Sequence, residues 1–166
     1  MPSLATKAPF NALSILFPRL IWRDGIALGS CLHAIMWNAV PSKLFHNVIA
    51  QETDAKAVMA ILNEYDISII LYHLARRHNV NLCSHNIEEI REAYYANRKK
   101  EMKFVANELV ANPAIMRLLL KATPAILKQQ SDRTPYFGKT ESYGYKLMWN
   151  RALWRIYKQN KKETSL

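Results

Sequence analysis

Glycine is scarce in this chain, with four in 166 residues, and cysteine scarcer still, with two. The glycines fall in two places, Gly25 and Gly29 near the start and Gly138 and Gly144 near the end. No Gly/Ser linker, low-complexity tract or internal repeat divides the sequence, so all of residues 1–166 read as a single domain. Cys31 and Cys83 are too few for a disulfide framework, and they read as reduced thiols of a cytosolic protein. Long apolar runs are missing as well. ISIILYHLA, the longest, falls well short of the ~20 residues that span a bilayer. The stretch APFNALSILFPRLIW is broken by Asn11, Pro18 and Arg19 and carries no cleavage site of the secretory kind. The expectation is a soluble, cytoplasmic protein with no membrane partner.

Acidic residues are few too. Thirteen Asp and Glu stand against 23 Lys and Arg, a formal charge of +10. That balance favours an anionic partner: a nucleotide or other phosphorylated small molecule, a nucleic acid, or an acidic protein surface. Half of the residues are apolar, enough to build a core without staples or metal. A chain of this length buries about 70% of the surface that its unfolded form exposes.

What is present is mostly helical pattern. Residues 1–28 read as irregular or briefly extended, with LFPRLIWRDGI as a short strand ending at the Asp24-Gly25 turn. Ser30 is placed to cap a helix that runs to about Val40, where Pro41 stops it. A longer helix is predicted over 53–78, opened by Thr53 and Asp54, with Val58, Ile61, Leu62, Tyr65, Ile69 and Tyr72 at helical spacing. Another fits 87–110, with Asn86 as cap and Glu89 three residues on. Asn112-Pro113 and Thr123-Pro124 each put a capping side chain before a proline at the first helical position. A polar loop, SDRTPYFGKTESYG over 131–144, precedes a last amphipathic helix at about 145–161. The predicted fold class is mainly α, a compact single-domain helical fold with little strand.

Several features are candidates for chemistry. In the late loop, Tyr136, Phe137 and Tyr143 beside Arg133 and Lys139 suit either an aromatic ring with its phosphate or simple packing on the core. Arg151, Arg155, Lys158 and Lys162 share one stripe of the last helix, and Arg98, Lys99, Lys100 and Lys103 make a second basic cluster. Each is either a solvated face or a surface that tracks phosphates. His73, His78, Cys83 and His85 match no zinc spacing, no nucleophile elbow is present, and neither a metal nor a cofactor is expected.

Two blocks carry a family resemblance. DGIALGSCLH, residues 24–33, has an Asp-Gly turn followed at fixed spacing by Ser30 and His33. RLLLKATPAILKQQSDRTPYFG, residues 117–138, runs from a leucine-rich helix through a Thr-containing turn and a short helix to Phe137-Gly138. Together they resemble the NADAR (YbiA-like) family of mainly helical N-glycosidases, over roughly residues 13–156, with Arg155 at the closing arginine. The resemblance implies a NADAR-like core with short N- and C-terminal extensions. It also implies a ligand site containing His33, Asn38, Tyr136, Phe137 and Gly138. Substrates described for the family include riboflavin-pathway intermediates and ADP-ribose attached to guanine.

The departures from that pattern bear on activity. Leu32 stands at the family's glutamate, Ala39 at its lysine and Thr134 at its late aspartate. N-glycosidic cleavage needs a carboxylate to activate water or to stabilise an oxocarbenium-like state, and neither leucine nor threonine supplies one. The resemblance then implies a degenerate site and a protein that acts by binding its anionic partner. The alternative is an active N-glycosidase that removes ADP-ribose from guanine with relocated acids, for which Asp24, Asp132 and Glu141 are the catalytic candidates. A third possibility is a basic helical interaction subunit with no such ancestry. In the binding reading, Arg151, Arg155, Lys158 and Lys162 are the anion-contacting residues. The diverged signature in a chain of this size suits a bacterial or bacteriophage protein.

Overall fold

Asp24 and Gly25 both take positive φ, 53° and 78°. Two such residues in a row close a two-residue hairpin whose twist suits its strands, and Asp-Gly is among the pairs that tolerate it. The hairpin joins β1, Ile21–Arg23, to β2, Ile26–Leu28, antiparallel with Trp22 opposite Ala27. The turn lies where the sequence predicts it, but the strand expected over LFPRLIWRDGI is paired only at Ile21–Arg23. The return strand, only three residues long, is too short to leave a periodic signal.

The structure, a computed structural model, describes residues 9–52, 67–122 and 141–164. Within these the chain is mainly α, with this one two-stranded sheet. A short 3-10 helix, Phe10–Leu13, precedes the hairpin. Helix α1, Cys31–Ala39, begins as expected, because the Ser30 side chain accepts from the His33 backbone N–H. Cys31 through Trp37 are all buried, along with Ala39. A helix covered on every side is a central one, and α1 packs chiefly against the long helix α4, described below.

Helix α2, Lys43–Gln51, which the sequence does not predict, is capped by Ser42 and follows directly on the Pro41 that ends α1. It buries Phe45, Val48 and Ile49, and its His46 ring stacks on Trp37 at 3.8 Å. Helix α3 covers Ile67–Arg77. The start assigned to it at Thr53 and Asp54, with Val58, Ile61, Leu62 and Tyr65, lies outside the described residues.

Helix α4 runs over Ser84–Val110, about 40 Å at 1.5 Å per residue. Its start corrects the expected cap at Asn86. Cys83 holds the capping position without a side-chain bond to the backbone, and Asn86 lies inside the helix, accepting from the Cys83 thiol at 2.8 Å. Ile90, Tyr94, Met102, Val105, Ala106 and Leu109 form its buried stripe.

Helix α5, Pro113–Lys121, has the expected proline start, with Asn112 Oδ1 accepting from the Ala114 N–H at 2.9 Å. The Thr123-Pro124 start lies outside the described residues. Helix α6 covers Glu141–Thr164, so residues 141–144, Gly144 included, are helical and not part of a loop. The buried indole of Trp149 donates to the Leu13 carbonyl at 2.8 Å and ties α6 to the N-terminal segment. Among the described residues, no helix is long and apolar enough to cross a membrane.

Candidate functional site: a basic groove between two helices

His33 is 1% exposed, and both of its ring nitrogens are engaged. Nε2 meets the backbone carbonyl of Glu52, an acceptor only, so Nε2 carries the proton. In the neutral ring Nδ1 is then an acceptor, and the Ser30 hydroxyl, 2.7 Å away, donates to it. The ring therefore links α1 to the end of α2 as a core histidine. Leu32 and Met36 beside it are fully buried, and Trp37 nearly so, so this face is core and not the floor of an open pocket. Glu52 itself is buried, with Arg77 Nη1 at 2.6 Å and His78 Nε2 at 3.5 Å from its Oε2.

Asn38 has a structural task too. Its Oδ1 accepts from Arg23 Nε at 3.0 Å, while the other two nitrogens of that guanidinium grip Glu108. Asp24 sits exposed on the hairpin turn. A cleft of about 510 Å³ does open beside this stretch, between β1 and α4, with Arg19, Trp22, Arg23, Cys31 and Glu108 among its walls. Its carboxylate is neutralised by Arg23 through two hydrogen bonds. Burial pushes the Cys31 thiol up to about 12, with a smaller opposing effect from Arg19, so it is not a thiolate at neutral pH. Asp132, Tyr136, Phe137 and Gly138 lie outside the described residues, as do Arg133 and Lys139. Glu141 opens α6, and its side chain is also outside the description.

The two basic clusters that looked independent in the sequence meet in space. Arg98, Lys99 and Lys103 from α4 face Arg151 and Arg155 from α6 around a recess of about 360 Å³. Its apolar lining is Tyr95, Met102, Met148 and Ala152. The recess continues into a second one of about 190 Å³ that shares Lys103, Ala152 and Arg155 and adds Asn107, Ile156 and Gln159. Among the described residues, no Asp or Glu lines either part. Among the described residues, Lys99, Lys103, Arg151 and Arg155 enter no ion pair. The Arg98 guanidinium lies 4.8 Å from the Tyr95 ring centroid, within cation–π range.

Helical spacing explains half of this arrangement. Lys99 and Lys103 are one turn apart, as are Arg151 and Arg155, so each pair shares a face. The other half is the packing of α4 on α6, which no single-helix pattern reveals. Lys158 turns elsewhere, with Nζ 5.5 Å from the Trp154 ring centroid, and Trp154 stacks on Tyr157 at 5.5 Å. The Lys162 side chain is outside the description.

Among the described residues, no group of three or more His, Cys, Asp or Glu is placed to hold a metal ion. Cys83 is exposed, and His85 pairs with Glu89 at 3.0 Å. Comparison with family models, with curated proteins and with solved structures finds no match to this chain.

Proposed function

We propose that this chain is a binding protein for a phosphate-bearing anion held in the groove between α4 and α6, and that its NADAR-like site is degenerate. The observation that carries the reading is the convergence of five cations from two helices on one recess with no opposing carboxylate among the described residues. Like charges brought together on packed helices repel one another, and an anion in the groove relieves that repulsion. Arginine offers paired N–H donors that fit phosphate oxygens, and three of the five cations are arginines. At about 360 Å³ the recess falls within the range of small-ligand pockets. The burial of His33 and Leu32 favours binding over catalysis at the family-like stretch, since a reacting group there would have to reach into packed core.

Elution from immobilised heparin, a general polyanion, tests the groove against net charge. The double variant Arg151→Ala, Arg155→Ala should elute at clearly lower salt than Lys43→Ala, Lys121→Ala, which loses the same charge from exposed sites elsewhere. Equal elution of the two double variants would remove the groove from the account and leave only overall charge.

A further inference from the structure

The shape of the groove narrows the class of anion, an inference that rests on the anion-binding reading above. The wall from α4 extends from Tyr95 to Asn107 and the wall from α6 from Met148 to Gln159. At 1.5 Å per residue these walls are ~17 Å long. The lining residues advance along both helices together, and the two recesses share Lys103 and Arg155, so the trough is continuous.

We infer that this trough takes a single strand of nucleic acid, about five nucleotides long, with its phosphates along the arginine and lysine rims. Three features support a strand. A stacked strand sets one phosphate every ~3.4 Å, so ~17 Å of trough matches about five nucleotides, and the five cations line its central section, from Arg98 to Lys103 and from Arg151 to Arg155. A mononucleotide or dinucleotide would leave most of that length empty.

Width favours a single strand over a duplex. Packed helices lie about 8–10 Å apart, whereas the major groove of B-DNA alone is about 12 Å wide. The cations stand on the rims, so a duplex would meet them from outside without reaching the floor. The floor suits bases in place of water. Met148 and Tyr95, half-buried, offer a soft, partly aromatic surface, with Met102 and Ala152 buried as its support. Such a floor accepts any base by its face, so the expected sequence preference is weak.

Fluorescence anisotropy with labelled oligonucleotides tests the strand. An unstructured single strand of ten nucleotides should bind at least tenfold tighter than a ten-base-pair duplex. Affinity should rise from one to about five nucleotides and then level off. The plot of log K against log salt should have a slope of about −2 to −3.5, at roughly −0.7 per phosphate contacted. Arg151→Ala with Arg155→Ala should weaken binding at least tenfold and flatten the slope by about 1.4, whereas lysine at both positions should keep the slope. Equal binding of the duplex, saturation by ADP-ribose alone, or displacement by polyglutamate at matched charge would each overturn the single-strand assignment while leaving an anion groove in place. Should none of these anions respond to the Arg151 and Arg155 variants, the anion-binding reading itself would fall.

Discussion

Arg23 and Glu108, 85 positions apart in the chain, are joined by two parallel hydrogen bonds, Nη1 to Oε2 at 3.0 Å and Nη2 to Oε1 at 2.6 Å. With the Arg23 Nε bond to Asn38, this guanidinium fastens the hairpin to both α1 and α4. Both Arg23 and Glu108 line the cleft beside the stretch 24–38. A double-mutant cycle with Arg23→Ala and Glu108→Ala should give a coupling of about 1 kcal/mol, the upper end for a partly exposed pair with good geometry. Urea titration measures it. A coupling near zero would mean that the hairpin is held by its apolar contacts alone.

Ser30 serves two hydrogen bonds at one place, the cap of α1 and the proton given to His33 Nδ1. Ser30→Ala should cost about 1–2 kcal/mol for the cap, with a further cost of about 1 kcal/mol for the buried nitrogen left without a donor. The midpoint of urea unfolding should fall with the slope unchanged. Loss below about 0.5 kcal/mol would show that the cap adds little to a helix already held by its burial.

The two thiols should differ in reactivity. Cys83 is exposed, while Cys31 is buried with its titration pushed up to about 12. Iodoacetamide at neutral pH should modify Cys83 in the native protein and spare Cys31 until urea is added, as read by peptide mass.

The same shift predicts a pH dependence. An acid whose folded titration lies above its unfolded value of 9.0 adds nothing to the pH dependence while both forms are protonated. Above pH 9 the unfolded thiol ionises and the folded one does not, so stability falls by up to about 1.4 kcal/mol per pH unit as the pH approaches 12. Cys31→Ala should lose stability less steeply than the wild type over that window. Parallel slopes would mean that other groups dominate alkaline unfolding.

An oligonucleotide carrying ADP-ribose on guanine should keep its mass when incubated with the protein, if the family-like site is degenerate. Release of ADP-ribose above a buffer control would restore the enzymatic alternative. Asp24→Ala, Asp132→Ala and Glu141→Ala would then identify the acid by loss of turnover.

Local signals were legible where one residue type decides one backbone outcome. The Asp-Gly turn, the Ser30 cap and the Asn112-Pro113 start were each visible because a positive φ, an orphan N–H or a missing N–H selects few residues. Helix α2 carries a cap of the same kind in Ser42, but that cap stands where the sequence reads as an ending, just after Pro41. The helix spans only nine residues. The cap of α4 was misplaced because Asn86 and Glu89 satisfy a capping pattern that the structure places one turn inside the helix.

By itself, the sequence determined a mainly helical chain with a strong positive charge, a core that needs no staple, and two basic helix faces. Those follow from composition and from the period of the helix. Tertiary structure alone decided that His33 is sealed between Ser30 and Glu52, and that Arg98, Lys99 and Lys103 face Arg151 and Arg155. The physical reason is that a helical pattern states which residues share a face but not which helix that face meets. The partner is chosen by apolar packing around Met102, Met148 and Ala152, which carries the charges along with it.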